Sequence, residues 1–178
     1  MNLTDITALL ARTPTTFDAL LRGLPDTWVR GNEGNDTWTP YDIMGHMVHC
    51  EVADWMPRLR IILEHGEAHP FDPFDRFAQM KAGLDRSLGQ LLDEFASLRK
   101  NNLAALEALN LHPDDFSRKG IHPAFGAVTA GELLSTWAVH DLTHLHQLSR
   151  VMAHQYRDEV GPWQAYLGVL KCDGHSAA

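Results

Sequence analysis

Between residues 87 and 109, the sequence SLGQLLDEFASLRKNNLAALEAL places an apolar side chain at almost every third or fourth position. The stripe is formed by Leu88, Leu91, Leu92, Phe95, Leu98, Leu103, Leu106 and Leu109. This spacing follows one face of an α-helix. Because a helix with one apolar face has to bury that face against a neighbour, the segment predicts a fold of packed helical layers.

Three further segments have helical patterns. The first spans about residues 2–23, and the TP pair there predicts a break, with Thr13 as cap and Pro14 in the first turn. The second is predicted to start after an N-cap at Thr39 and to reach about residue 65, where HG supplies a glycine stop. Pro57 lies inside that segment and is expected to kink or split it.

The last long segment opens with a T-x-x-E capping box and is predicted to extend from Thr129 to about Tyr156. A short tail helix is expected around GPWQAYLGVL. The connections are rich in Pro and Gly, and no run of alternating strand residues stands out. The sequence therefore predicts an all-α protein, an antiparallel four-helix bundle with short extra helices in its connections, formed by one domain over residues 1–178.

Composition narrows the functional classes. The net charge is −8, with 23 acidic against 15 basic residues and no clustered basic footprint, which argues against a nucleic-acid partner. No apolar run approaches the roughly 18 residues that span a membrane, and the N-terminus lacks a signal-peptide pattern. The two cysteines lie far apart, so a disulfide framework is not expected and a cytoplasmic location is predicted.

Histidines are frequent, with 11 in 178 residues, and two pairs have the H-x-x-x-H spacing. His65 and His69 flank a glycine and precede a proline, so we expect them in a loop. His140 and His144 lie inside the last helical segment, one turn apart and on one face. That spacing suits two ligands of a metal ion, although a buried histidine can equally serve the core through one hydrogen bond.

A third ligand would have to come from another helix. The second segment contains GHMVHCE, in which His46, His49 and Cys50 lie near one helical face. If the second and fourth helices are neighbours, inward side chains from both can meet. Two residues beyond His144, His146 is expected to face away from the pair, and with His154 and His175 it is predicted to lie at the surface.

The stretches WTPYDIMGHMVHCE and STWAVHDLTHLHQLSR together resemble the DinB-like superfamily, which includes bacillithiol transferase-like proteins. In that family a tryptophan precedes the first histidine by eight residues, as Trp38 precedes His46 here, with methionine at position 47 where leucine is usual. The family's second motif is H-x-x-x-H followed by glutamine, matched by His140, His144 and Gln147.

The resemblance implies a four-helix bundle that binds a divalent metal ion, usually zinc or nickel, through His46, His140 and His144. Many members of the family are homodimers. Some transfer a low-molecular-weight thiol such as bacillithiol or mycothiol to an electrophile. Three histidines plus an open position are typical of a catalytic metal site rather than a structural one.

The neighbouring residues have open roles at this point. His49 is interpreted as an outer partner, a proton carrier or a rim residue, and Cys50 as a small buried apolar residue in preference to one that faces the site. Candidate hydrogen-bond partners for the ligand rings are Asp42, Glu51 and Asp141. Candidates for shaping a cavity are Trp137, Trp55, Phe125 and Met44.

Three functions follow from these expectations. The first is a metal-dependent thiol S-transferase that acts on small electrophiles in detoxification or stress response. The second is a metal-dependent hydrolase or isomerase of a small molecule. The third is a non-catalytic bundle in which the metal ion only stabilises the fold.

Overall fold

The structure is a computed structural model that describes residues 2–81 and 86–172 of the chain. Its α-helices are α1 (Leu3–Leu10), α2 (Thr13–Leu21), α3 (Asp26–Val29), α4 (Pro40–Ala53), α5 (Trp55–His65), α6 (Ala78–Lys81), α7 (Leu88–Ala108) and α8 (Ala130–His154). Short 3₁₀ turns cover Gly66–Ala68, Pro113–Ser117, Gly161–Tyr166 and Gly168–Lys171. Two strands, β1 (Lys119–His122) and β2 (Gly126–Thr129), complete the fold.

The helix starts follow the predicted capping residues closely. Capping boxes open α4 at Thr39, α7 at Ser87 and α8 at Thr129, each with two reciprocal side-chain to backbone hydrogen bonds. The predicted cap at Thr13 is displaced by one residue, because Arg12 is the N-cap of α2. The hydroxyl of Thr13 is buried and hydrogen-bonds Leu10 and Asp141 instead.

The predicted breaks are also present. The first segment divides into α1 and α2, and the second into α4 and α5. Pro57 accounts for the second break, since a proline ring clashes with the carbonyl four residues earlier, and α4 ends at that residue, Ala53. Gly66 ends α5 with φ of 58°, a conformation that favours glycine. The tail sequence GPWQAYLGVL forms 3₁₀ turns rather than an α-helix.

The four-helix bundle is confirmed, but the polar contacts between its helices correct the expectation that neighbouring helices are antiparallel throughout. Tyr41 at the start of α4 bonds Arg86 just before α7, whereas Glu51 near the end of α4 bonds Arg99 in the middle of α7. The α4–α5 segment and α7 therefore run the same way. Helices α4 and α8 run in opposite directions, since His46 lies beside His140 and Glu51, further along α4, lies beside Trp137, earlier in α8. We call residues 66–81, the described first part of the connection between these two parallel segments, the return crossover.

The hairpin β1–β2 corrects the expectation of a protein without strands. The two four-residue strands pair antiparallel, from Lys119 with Thr129 to His122 with Gly126. They are too short to give a recognisable alternation, and their burial does not alternate. Gly126 has φ of 73° at the turn, a value that glycine adopts without strain. Gly120 lies where a Cβ atom would approach Ile62 and Phe71 closely.

Two clusters of buried apolar side chains fill the bundle. One contains Leu10, Trp55, Leu59, Leu134 and Trp137, and the other Phe17, Met44, Met47, Phe95 and Leu148, among further members. Along α8, residues 140 and 144 fall between the last position of the first cluster and the first buried position of the second, while on α4 residue 46 lies among positions of the second cluster. In the part of the chain that the structure describes, no helix has the length and apolar character needed to cross a bilayer.

Candidate metal centre

Three histidine side chains converge between α4 and α8. The Nε2 atom of His140 lies 3.3 Å from Nε2 of His46 and 3.1 Å from Nε2 of His144. The potential ligand atoms of all three residues lie within 4.8 Å of one another. His46 and His144 are buried, and His140 is half-buried. The structure thus brings together the three residues that the sequence predicted as ligands, from two helices.

Hydrogen bonds at the other ring nitrogens orient two of these rings. Nδ1 of His144 lies 2.8 Å from Oε1 of Gln147, one turn further along α8. The His46 ring has a backbone hydrogen bond to Arg76 in the return crossover. A ring that donates from Nδ1 presents a lone pair at Nε2, which is the form that binds metal ions. The Nδ1 atom of His140 is buried and has no hydrogen-bond partner among the described residues.

The surroundings keep the three rings neutral at physiological pH. Burial lowers the pKa of His46 to about 3, helped by the nearby charges of His144, Arg76 and His49. Burial also lowers the pKa of His140, well below its ordinary value, and that of His144. Neutral imidazole is the ligand form of histidine, so no proton has to be removed before metal binds at pH 7.

This arrangement fits a divalent ion. With Nε2 of each ring unprotonated, these three atoms, at 3.1–3.3 Å between neighbours, would offer a cation three lone pairs at one point. Nitrogen ligands at about 2.0–2.1 Å from a tetrahedral zinc ion lie roughly 3.3 Å apart, close to the separations found here. The residues present can therefore hold an ion with little movement of their rings.

Aromatic side chains enclose the centre. The Trp38 ring lies 4.9 Å from the His46 ring and 6.4 Å from that of His144, and Trp55 packs edge-on against His140 at 5.0 Å. Phe74 of the return crossover lies 6.0 Å from His46. Such walls exclude water, which strengthens electrostatic interactions within the site. Trp38 was recognised in the sequence only by its spacing from His46, and Phe74 was not predicted.

The return crossover reaches the centre because α4 has a glycine beside its ligand. A Cβ atom at Gly45 would lie 3.1 Å from Cβ of Gln79 in α6, so a larger residue there would push α6 away. Phe77 of the same segment packs against Trp38, with 6.2 Å between the rings. The aromatic pattern HPFDPFDRF in the sequence was the available signal for this cover, but spacing alone did not connect it to the site.

Cys50 belongs to the first apolar cluster, and its thiol also lies beside two of the three histidines. Its Sγ atom is 3.3 Å from Nε2 of His46 and 3.9 Å from Nε2 of His140. The thiol is buried, and this desolvation, with nearby Asp54 and Glu51, raises its pKa well above the ordinary value. The preferred interpretation of Cys50 as a small apolar residue therefore describes its burial but misses its contact with the ligand atoms.

The carboxylates proposed as partners of the ligand rings are engaged elsewhere. Asp42 accepts hydrogen bonds from Thr39 in the capping box of α4. Glu51 and Asp141 both accept from Arg99, at 2.8 Å and 2.6 Å, in a group of side chains that is almost completely buried. The partner identified for His144 is Gln147, which the sequence analysis had named as part of the family's second motif without assigning it a contact.

The other predicted positions have mixed outcomes. His49 is half-buried and packs against Phe74 at 4.8 Å, which places it at the rim. Trp55 and Trp137 lie at or behind the site and stack on each other at 5.8 Å. Phe125 is 78% exposed at the tip of the hairpin, so its predicted place in a cavity wall is wrong. Met44 is buried in an apolar cluster.

The remaining histidines lie outside the centre. His65 and His69 are exposed, with their rings stacked at 5.3 Å, and His65 is the last residue of α5 rather than a loop residue. His146 is exposed as predicted, whereas His154 is half-buried at the end of α8. The prediction for His175 falls outside the described residues.

Comparison with known structures supports the same architecture. YfiT from Bacillus subtilis, described as a probable metal-dependent hydrolase with an unusual four-helix bundle topology, is similar with a TM-score of 0.69. The match covers 83% of this chain and 86% of YfiT at 19% sequence identity, which establishes likeness of fold. No curated protein sequence matches the chain significantly.

The sequence comparison identifies the family directly. The profile of the DinB superfamily matches residues 9–148, a range that runs from α1 to α8 and includes all three converging histidines. The chain therefore belongs to the DinB superfamily.

Proposed function

We propose that this protein is a metal-dependent thiol S-transferase, in which His46, His140 and His144 hold a divalent ion, zinc or nickel. The observation that carries the proposal is the convergence of three neutral Nε2 atoms at 3.1–3.3 Å from their neighbour. The ion would give the thiol of a small cosubstrate, of the bacillithiol or mycothiol type, the character of a thiolate at neutral pH. The second substrate would be a small electrophile.

The protein side chains supply position and exclusion of water. Gln147 and the backbone at Arg76 hold the His144 and His46 rings, so the ligand set is oriented before any ion enters. Trp38 and Phe74 cover the ring edges and keep the reacting atoms out of bulk solvent. An apolar wall of this kind suits an electrophile without charge.

The buried carboxylates favour a thiol over water as the nucleophile. Glu51 and Asp141 are held by Arg99, so they are poorly placed to remove a proton from a nucleophile at the centre. Activation then depends on lowering the pKa of the nucleophile itself. The decrease in pKa that is needed for ionisation at neutral pH is small for a thiol, whose ordinary pKa is about 8.5, and much larger for water, whose pKa is about 15.7.

A metal-dependent hydrolase is the second candidate. The observation in its favour is the fold neighbour YfiT, which is described as a probable metal-dependent hydrolase. A non-catalytic centre that only stabilises the bundle is the remaining alternative. The three candidates predict different dependence on thiol, which makes them separable in one experiment.

The test is an assay of zinc-loaded and nickel-loaded protein with a panel of small thiols and a chromogenic aryl chloride or epoxide. Product that requires both ion and thiol supports the transferase. Ester or amide cleavage without thiol would instead indicate the hydrolase, and a bound ion with neither activity across broad panels would indicate a structural centre. His140→Ala is expected to abolish turnover, while His146→Ala, an exposed histidine on the same helix, is the matched control.

The expected homodimer stays a prediction, for which light scattering of the purified protein is the direct measurement.

A further inference from the structure

The environment of Cys50 differs from that of Cys172, the other cysteine. Cys172 is exposed near the C-terminal end of the described chain, and its thiol contacts the carbonyl of Gly168. Cys50 is 1% exposed, and its sulfur lies against two of the three converging nitrogens. Cys50 belongs to an apolar cluster, but a thiol that only fills space has no need to contact two potential metal-binding nitrogens as well.

We infer that Cys50 is the fourth protein ligand of the ion, so that the centre has a His₃Cys donor set rather than three histidines alone. This inference rests on the metal-binding part of the proposed function. Cys50 follows His46 by four residues on α4, so both side chains lie on the same helical face. His140 reaches the same point from α8.

The distances agree with tetrahedral coordination by nitrogen and sulfur. A zinc ion with nitrogens at about 2.0–2.1 Å and a sulfur at about 2.3 Å places each nitrogen roughly 3.6 Å from the sulfur. The two separations found here, 3.3 Å to His46 and 3.9 Å to His140, lie on either side of that value. Sγ of Cys50 lies farther from His144, since, among the described residues, the mutually close set of ligand atoms within 4.8 Å contains the three histidines alone. All four donors therefore reach one ion only after the Cys50 or His144 side chain moves.

The charges around the ligands nearly balance before an ion binds. Glu51 follows Cys50 and Asp141 follows His140, and both carboxylates are buried against the single guanidinium of Arg99. Arg76 adds a second positive charge, which adds to burial in lowering the pKa of all three histidines. Binding of the ion forms one metal–sulfur bond, breaks the S–H bond of Cys50 and releases one proton to solvent, so the thiolate offsets one of the two charges of the dication.

A sulfur ligand has two consequences for the centre. Thiolate selects borderline or soft ions such as zinc and cobalt over magnesium or manganese, which prefer oxygen. It also fills the fourth position of a tetrahedron, so a cosubstrate thiol would enter as a fifth ligand, an expansion that zinc allows. The entry side would then be the one that faces Trp38 and the return crossover.

Cobalt substitution tests the inference, because a cobalt–thiolate bond gives an intense near-ultraviolet charge-transfer band. The decisive sample is Cys172→Ser, in which Cys50 is the only cysteine, measured with one equivalent of Co²⁺ and no added thiol. We expect the band at the same intensity as in the cobalt-loaded wild-type protein. X-ray absorption of the zinc-loaded variant is expected to show one sulfur at about 2.3 Å from the ion.

Substitution of Cys50 completes the test. Cys50→Ala and Cys50→Ser are expected to lose the band and to weaken zinc binding at least about 100-fold in competition with a chromogenic chelator, more than loss of an outer contact would cost. Cys172→Ser is expected to keep the wild-type affinity. Circular dichroism checks that each variant is folded, and if the Cys50 variants fail to fold, the Cys172→Ser spectrum decides alone.

Each other result is informative. One Co²⁺ per chain without the sulfur band in Cys172→Ser would overturn the role of Cys50 and leave the three-histidine proposal standing. Zinc affinity unchanged in a folded Cys50→Ala variant would have the same meaning. Failure of the wild type to bind zinc, nickel or cobalt at all would overturn both the inference and the proposed function.

Discussion

Two buried polar clusters share α4 and α8 and differ in how their groups are satisfied. In the first, which we call the Arg99 cluster, Glu51 and Asp141 accept hydrogen bonds from Arg99, and Trp137 donates to Glu51. In the second, the histidine cluster, His46, His140 and His144 point ring nitrogens at one another. The first cluster pairs a charged donor with charged acceptors, whereas the second brings together only neutral ring nitrogens.

This difference indicates which cluster serves the fold and which serves a ligand. Buried polar groups are expensive unless they are paired, so a cluster that pairs donors with acceptors needs nothing further. Facing neutral rings can satisfy one another only in part, through an N–H shared between two Nε2 atoms, whereas a cation can accept a lone pair from all three. The two clusters should therefore respond differently to mutation, acid and metal, and measuring these responses tests whether their roles differ.

The largest expected effect is on the Arg99 cluster. Arg99→Met removes the guanidinium that pairs with two buried carboxylates, and loss of one partner of a buried ion pair costs about 3–5 kcal/mol of unfolding free energy. Urea denaturation of the apo protein measures this loss of unfolding free energy. Lys100→Met, at the neighbouring exposed position, is the control and is expected to change stability by less than about 0.5 kcal/mol. Similar stabilities for both variants would contradict the assigned role of Arg99.

Acid should act mainly on the histidine cluster. The folded apo protein lowers the pKa values of His46, His140 and His144, so below about pH 6.5 the unfolded chain takes up protons that the folded chain does not. The unfolding free energy should therefore fall as pH falls, with the window for His46 extending to about pH 3.

His46, whose pKa in the folded protein is about 3, is expected to contribute about 1 kcal/mol between pH 7 and pH 5.5, and His140 and His144 add to the fall in the same direction. Urea denaturation in the presence of a chelator, at a series of pH values, gives the slope. His140→Ala should make the slope shallower, and His146→Ala should leave it unchanged. A stability that stays flat down to pH 5 in the wild type would show that the rings are not buried as neutral groups.

Metal should also act on the histidine cluster alone. An ion at 100 times its dissociation constant stabilises the folded state by about 2.7 kcal/mol, which thermal unfolding with and without zinc would detect. We expect His140→Ala to lose this increment and His146→Ala to keep it. Arg99→Met should start from a lower stability yet gain the same increment if it still folds. Loss of the increment in Arg99→Met would mean that the two clusters are one cooperative unit.

The sequence predicted the parts of this structure that depend on local spacing. The helix starts at Thr39 and Thr129, the glycine stop at Gly66 and the shared face of His140 and His144 all follow from rules within one or two turns. Together with the family resemblance, they were sufficient to predict the bundle and the three converging histidines.

What the sequence did not predict depends on contacts between distant segments. The pairing of Glu51 and Asp141 with Arg99 requires knowledge of which side chain from α7 fills the interior. Likewise, the cover by Phe74 follows from the parallel direction of the α4–α5 segment and α7, which forces the connection back along the bundle. The hairpin was missed because its four-residue strands carry no clear alternation.

The smallest effect concerns the hydrogen bond that orients His144. Gln147→Leu removes the acceptor 2.8 Å from Nδ1 of that ring while keeping a side chain of similar size. Loss of such an outer contact weakens metal binding by about 10-fold or more, equivalent to about 1.4 kcal/mol. Competition with a chromogenic chelator measures the change. Ser149→Ala, an exposed substitution two residues further along α8, should have no effect.

Gln147→Glu sharpens this test, because the two possible roles of position 147 predict opposite signs. If the side chain orients and polarises the His144 ring, a carboxylate is a stronger acceptor and should tighten metal binding relative to the wild type. If the side chain only fills space, the added charge in a half-buried position gives no gain, and both variants should weaken binding or leave it unchanged. Tightening in Gln147→Glu with weakening in Gln147→Leu would extend the histidine cluster to Gln147, and with it the contrast to the Arg99 cluster, where acceptors are already paired.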